Sequence, residues 1–213
     1  MKKHLALLLA VVTVFTLAAC GSKKDNAIGQ DPQKNTTPST QNNQNNGPMD
    51  LPDEPQALLQ TVWDSYAESD KFYAMGGNYD EDESKNNNVE NGPGKYALDN
   101  DGMTTVLMVP ADKVADIEAA ASLMHGMMSN NFTCGAYKLK SGVDAQAFGQ
   151  AMYNSITSQR FLCGAPEAIY VAVLDGKYVV ATYGSKQLLD VFHAKLTAAY
   201  PGTQVLYNQL ITE

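Results

Sequence analysis

"AIYVAVLDGKYVVATYG", residues 168–184, is the stretch that decides the fold. Two runs rich in β-branched and aromatic residues flank Asp175-Gly176, a dipeptide strongly favoured where a two-residue turn joins antiparallel strands. A hairpin is expected here, and its neighbours must supply what covers it. On the C-terminal side Ser185 stands as a helix N-cap. Leu188, Leu189, Phe192 and Leu196 follow at helical spacing, and Tyr200-Pro201-Gly202 stops the helix. Thr203 to Tyr207 reads as a short closing edge strand. On the N-terminal side Asp144 is placed as an N-cap, with Val143 and Phe148 as a hydrophobic staple and a stripe continuing through Met152 and Ile156. Before that helix, "NFTCGAYKLK" (131–140) reads as a strand.

Further upstream, Met103 to Val109 reads as a strand. Pro110 then opens a helix whose stripe is Val114, Ile117, Ala121, Met124 and Met128. A polar, glycine-rich, acidic loop occupies about 74–98. Its length marks it as either functional or mobile. The first helix is expected from a cap at Asp53 through Glu68, with Leu58, Leu59, Val62, Trp63 and Tyr66 on one face. The expected order is α-β-α-β-α-β-β-α. That is an α+β fold: a small mixed, mostly antiparallel sheet with helices packed on one face. "FTCGA" (132–136) and "FLCGA" (161–165) repeat one phrase. Each copy reads as the start of a strand after a helix, and two copies do not make a repeat architecture.

The chain begins MKKHLALLLAVVTVFTLAACGS. Lys2 and Lys3 form a positive n-region, Leu5 to Leu17 an apolar core, and Ala18-Ala19 lead into Cys20, which together read as a secretory signal over residues 1–20. Leu17-Ala18-Ala19-Cys20 resembles the lipobox of bacterial lipoproteins, which implies lipidation of Cys20 and a mature N-terminus there. A diacylglyceryl anchor carries two chains, enough for stable attachment. The expected location is the cell membrane, lipid-anchored on the extracytoplasmic face. Residues 21–50 are Asn, Gln, Thr, Ser, Pro and Lys with almost no large apolar side chain, and so read as a disordered tether. A coil of about thirty residues spans roughly 30 Å on average. Residues 51–213 are long enough for a single domain with its own core.

Composition excludes some partners. The net charge is −8, and losing Lys2 and Lys3 with the leader makes the remainder more acidic still. Nucleic acid, whose phosphates need a basic patch, is not an expected partner. Arg160 is the sole arginine, so no arginine cluster can grip phosphates. Near the end of an expected helix it complements the dipole. Apart from Cys20 there are two cysteines, Cys134 and Cys163. Outside the cytoplasm they form a candidate disulfide, worth about 3–4 kcal/mol by loop closure. Two buried thiols acting as small apolar groups are the alternative. Their spacing fits neither CxxC redox chemistry nor zinc.

Candidate sites are few. The HExxH, GxSxG, SxxK and phosphate-loop patterns are missing, no catalytic residue is nominated, and no cofactor is indicated. "SLMHGMMSNN" (122–131) offers Met124, His125, Met127 and Met128 to a soft metal. Met124 and Met128 already belong to the helical stripe, which favours a core helix. In "LDNDGM" (98–103), Asp99, Asp101 and Gly102 match the inner positions of a calcium loop, but Ala97 and Met108 stand where the outer ligands belong. A turn is the expectation there. Asp80, Glu81, Asp82 and Glu83 bunch four carboxylates. Such a loop can bind calcium weakly, and a solvated acidic loop is the commoner explanation. Trp63, Tyr66, Phe72 and Tyr73 border this loop. Phe72 and Tyr73 are the candidate binding rim.

"AYKLKSGVDAQAFGQAM", "SQRFLCGAPEAIYVAVLDGKYVVATYG" and "LLDVFHAKL" together resemble an uncharacterised family of small lipoproteins from clostridial-type bacteria, a domain of unknown function. The similarity covers roughly residues 103–199 and lies in the order of elements and the hairpin. The acidic insertion before Met103 departs from the pattern. The resemblance implies a Gram-positive lipoprotein facing the cell wall and brings no catalytic residues. The functional expectation is a membrane-anchored binding or accessory module near the cell envelope, with a small ligand or an envelope protein as partner. The alternatives are a cell-envelope hydrolase with an unrecognised site and a weak metal-binding protein.

Overall fold

The computed structural model describes residues 50–161 and 164–211. The leader, Cys20, most of the tether and Cys163 lie outside the described residues. Among the described residues there are four α-helices: α1 (Pro55–Asp64), α2 (Gly102–Thr105), α3 (Ala145–Thr157) and α4 (Lys186–Ala199). The strands are β1 (Ala74–Gly76), β2 (Val89–Glu90), β3 (Gly94–Tyr96), β4 (Ile117–His125), β5 (Phe132–Leu139), β6 (Ala168–Leu174), β7 (Tyr178–Gly184) and β8 (Gln204–Leu210). They form one eight-stranded sheet in the order β2-β1-β4-β5-β7-β6-β8, with β3 also pairing with β4. The pairings are antiparallel. The α+β class and the antiparallel sheet match the sequence expectation.

The hairpin of residues 168–184 lies next to the β8 edge, and Asp175 and Gly176 both have positive φ. Its pairing closes at Leu174 and Tyr178, so the connection holds three residues where two were expected. The extra residue, Lys177, gives its carbonyl to Leu139 N (2.9 Å), which ties the turn to β5.

Helices cover both faces of the sheet, not the single face expected. On one face Leu58, Leu59 and Val62 of α1 pack with Ala121 and Leu123 of β4 and Phe132 and Ala136 of β5, and Leu189, Phe192 and Leu196 of α4 pack with Ala168, Tyr170 and Ala172 of β6. On the other, Phe148, Met152 and Ile156 of α3 pack on Ile169, Val171 and Val173. Every residue of β6 and β7 is buried. Strands buried on both faces read as continuous apolar runs, whereas half-buried strands alternate. Each large apolar side chain so enclosed contributes about 1.5–3 kcal/mol.

Two elements exchange type. Met103 to Val109, expected as a strand, starts as the single turn α2 and continues as a loop across the α3 face. The hydroxyls of Thr104 and Thr105 bond to Asp101 O (3.1 and 3.0 Å), which gives these side chains local backbone partners in place of a strand ladder. Two sheet tyrosines hold the loop down. Tyr183 Oη donates to Val106 O (2.8 Å) and Tyr137 Oη to Leu107 O (3.2 Å). The expected helix after Pro110 is a 3-10 turn, Ala111–Asp116, followed by β4. The alanines of β4 suit a helix by propensity, but tertiary pairing overrides it: β5 takes one side and β1 and β3, end to end, take the other. Smaller differences concern the ends. Helix α1 begins at Pro55 without a side-chain cap from Asp53 and stops at Ser65, and β8 runs on to Leu210.

Candidate functional site

The acidic loop is built, not loose. At its base Gly76 and Gly94 approach so closely that a Cβ on either would run into the other's backbone. Beyond the crossing, Asn78 is 1% exposed and gathers the loop around itself. Its Oδ1 accepts from Ala97 N (2.9 Å) and Asn87 Nδ2 (3.2 Å), and its Nδ2 donates to Lys85 O (3.3 Å). The loop's other flank is fixed to α1, since Trp63 Nε1 donates to Asn91 O (2.9 Å) and Lys95 pairs with Glu54 (3.2 Å).

The order in this loop creates a cleft of about 600 Å³ between residues 77–81 and the α2 turn. That volume falls within the range of small-molecule sites. One wall carries Tyr79, Asp80 and Glu81, and the other Asp99, Asn100 and Asp101. Asn100 Nδ2 joins them, donating to Tyr79 O and Asp80 Oδ2, both at 3.1 Å. Asn100 Oδ1 accepts from Gly102 N (2.8 Å), which starts the α2 turn. Met124 and Val106 add apolar surface.

Tyr96, from β3, also lines the cleft. It is 6% exposed, and its hydroxyl has no hydrogen-bond partner among the described residues. Gly102 leaves room for that hydroxyl, which a Cβ at this position would strike. Burial pushes the Tyr96 phenol up to about 12, with Tyr183 adding to the effect, so it is a neutral donor at ordinary pH. Among the described residues, the carboxylates of Glu81, Asp99 and Asp101 have no ion-pair or side-chain hydrogen-bond partner. The loop's two lysines are engaged elsewhere: Lys85 with Asp82 (4.0 Å) and Lys95 with Glu54.

The four carboxylates nominated for calcium therefore separate. Asp80 and Glu81 line the cleft. Asp82 instead caps the short turn Glu83–Lys85 through Ser84 N (3.1 Å), and Glu83 is exposed on that turn. The missing members come from Asp99 and Asp101, in the segment with the partial calcium-loop pattern. Among the described residues no three His, Cys, Asp or Glu side chains stand close enough to hold one metal ion.

The aromatic rim also divides. Phe72 is half-buried, wedged against Trp63 (5.1 Å between ring centres) and Phe132 (5.0 Å) and stacked on His125 (5.5 Å). Tyr73 is 47% exposed and lies over Gly126. The Met-rich stretch is the end of β4 and the turn after it, not a core helix. Met127 and Met128 are exposed there, because the turn projects beyond the sheet. His125 Nδ1 accepts from Met127 N and Met128 N, both at 3.3 Å, which commits that nitrogen to the turn.

Cys134 is a free thiol, fully buried in β5 opposite Thr182. Burial pushes it up to about 12, opposed by the Thr182 hydroxyl, which keeps the thiol protonated at ordinary pH. Its expected partner Cys163 lies outside the described residues.

No family model matches the chain, and no curated protein or solved structure is significantly similar to it. No helix among the described residues is long and apolar enough to cross a membrane.

Proposed function

We propose that the chain is a lipid-anchored extracytoplasmic lipoprotein acting as a binding module near the cell envelope, with the acidic cleft as its ligand site. The anchoring half rests on the lipobox-like Leu17-Ala18-Ala19-Cys20, on the polar tether after it, and on the resemblance over residues 103–199 to small Gram-positive lipoproteins. The binding half rests on one observation above all. Tyr96 is held almost wholly out of solvent with an unpartnered hydroxyl at a cleft whose walls are fixed by Asn78 and Asn100. Its ring is buried in the core while its hydroxyl reaches the cleft without a protein partner, which leaves that group available to donate to or accept from a ligand. No histidine, lysine or cysteine lines the cleft, which gives the hydrolase reading less to stand on than the binding one.

Each half has its own test. For the anchor, cells expressing the full chain are fed an alkyne palmitate analogue. The wild type should be labelled and membrane-bound, and Cys20→Ala unlabelled and released; equal labelling of both overturns the anchor. For the cleft, a panel of cationic, neutral and anionic small molecules is titrated while the backbone amides are followed by NMR. One class should move Gly77, Glu81, Asn100 and Gly102 together. A panel that moves none of them overturns the site.

A further inference from the structure

The charge distribution of the cleft limits what it can take. Asp80, Glu81, Asp99 and Asp101 surround it, and no cationic side chain lines it. An anionic ligand would meet uncompensated like charge on both walls. A single divalent ion would need several oxygens converging at about 2.3–2.6 Å. The carboxylates are instead dispersed along the walls, with no three of His, Cys, Asp or Glu in metal-holding distance among the described residues. The surface between them is partly apolar, from Met124 and Val106. Tyr79 stands at the rim, 74% exposed, where its ring face can meet a cation. Inside, Tyr96 offers a neutral hydroxyl that can accept as well as donate. Dispersed negative charge, apolar surface between the charges, an aromatic rim and an unpartnered hydroxyl acceptor at the cleft wall fit positive charges spaced along a hydrocarbon chain.

We propose that the cleft binds primary ammonium groups carried on an alkyl chain, with Glu81, Asp99 and Asp101 holding the ammonium groups and Met124 and Val106 under the methylenes. This rests on the cleft being the ligand site and adds the chemical class of the ligand. The unpaired state of those three carboxylates is the feature a polyammonium ligand would resolve. Asp80 is already held by Asn100 Nδ2 and by Asp82 N (2.9 Å), so it positions the wall and contributes background charge. The chemistry is shared by two sources: a free linear polyamine, and lysine-type side chains of a peptide.

The test uses the full chain in low-salt buffer, with spermidine, tetralysine, calcium chloride and a neutral disaccharide as probes, read by amide shifts and by calorimetry. Spermidine or tetralysine should move Gly77, Glu81, Asn100 and Gly102, and the tighter of the two assigns the source. Affinity should fall about tenfold or more in the Asp99→Asn/Asp101→Asn double variant, as expected when two charge contacts are lost. It should fall about severalfold on going to physiological salt. Glu83→Gln, which removes one charge from the same loop but outside the cleft, should bind as the wild type does. If Glu83→Gln weakens binding as much as a single cleft substitution, the attraction is diffuse and the proposal fails. If the disaccharide or calcium moves the cleft amides and the amines do not, the ligand class is wrong while the cleft remains the binding site. If no probe moves them, both the class and the site fall.

Discussion

Asn100 Nδ2 donates to Asp80 Oδ2 at 3.1 Å, across twenty positions of sequence. The same nitrogen reaches Tyr79 O, and the opposite oxygen of that amide starts the α2 turn through Gly102 N. One side chain therefore sets the distance between the two walls of the cleft. Asn100→Ala should lower stability by about 1–2 kcal/mol, since it removes several partly exposed hydrogen bonds. Its larger effect should be local. Amide exchange should accelerate in residues 79–82 and 99–102 while β5, β6 and β7 keep their protection. Uniform loss of protection would mean the cleft walls are not an independently opening unit.

Gly135 and Tyr137 lie two apart on β5, on the same face, and a Cβ on Gly135 would run into the Tyr137 ring and hydroxyl. Tyr137 cannot easily yield, because it is fully buried and its hydroxyl is bound to Leu107 O. Gly135→Ala should cost about 1–3 kcal/mol by overpacking. In Tyr137→Leu the same change should cost clearly less. A double-mutant cycle by urea denaturation measures the difference, and strict additivity would show that the ring does not depend on the glycine.

The hydroxyls of Tyr66 and Tyr170 are buried without a hydrogen-bond partner in the α1/α4 face of the core. Burial raises both phenols well above their ordinary value, with the neighbouring Cys134 adding to the shift. Tyr170→Phe keeps the ring against Phe192 and removes the unpaired oxygen. It should raise stability by about 1 kcal/mol, visible as a higher melting temperature. A drop of similar size would mean that the hydroxyl is satisfied in solution.

Cys134 supplies a pH dependence whose sign is fixed. Its folded pKa, about 12, stands above the ordinary value of 9.0. Below pH 9 the thiol is protonated whether the chain is folded or not, and its contribution is fully present. Between about 9 and 12 the unfolded chain releases the proton and the folded one keeps it. Stability then falls by at most about 1.4 kcal/mol per pH unit for this group. Tyr96 adds to the decline from about pH 10, by the same sign. Urea midpoints from pH 8 to 11 should fall in the wild type, and the first part of that fall should flatten in Cys134→Ala. An unchanged slope would place the thiol in contact with solvent.

Much of the fold is legible from local chemistry. Asp144 and Ser185 bond the first amides of α3 and α4, as their positions before apolar stripes suggest. Asp175-Gly176 turns the chain where the left-handed backbone is needed. The misreadings have local causes too. Val114, Ile117, Ala121, Met124 and Met128 mimic a helical stripe by their spacing of three and four, although β4 points Ala120 and Ala121 to opposite faces. The two-sided cover is also written in the sequence. "AIYVAV" and "YVVA" are continuous apolar runs, not alternating ones, and such strands need cover on both faces. The cleft was legible only in pieces, because Asp80 and Glu81 belong to one acidic run and Asp99 and Asp101 to another.

By itself the sequence determined the elements whose signals are short-range: the capped helices α3 and α4, the hairpin and the α+β class. Each depends on contacts within a few residues, so the order of residue types contains it. Only the tertiary structure decided that β4 is a strand, that helices cover both faces, and that an acidic loop is a fixed wall. Those outcomes depend on pairing partners and on a buried hub at Asn78 that binds residues up to nineteen positions away. Nor does spacing along the chain reveal that Tyr96 ends at a cleft with carboxylates from both sides. That is a property of packing, set by where two glycine-bearing backbones can cross.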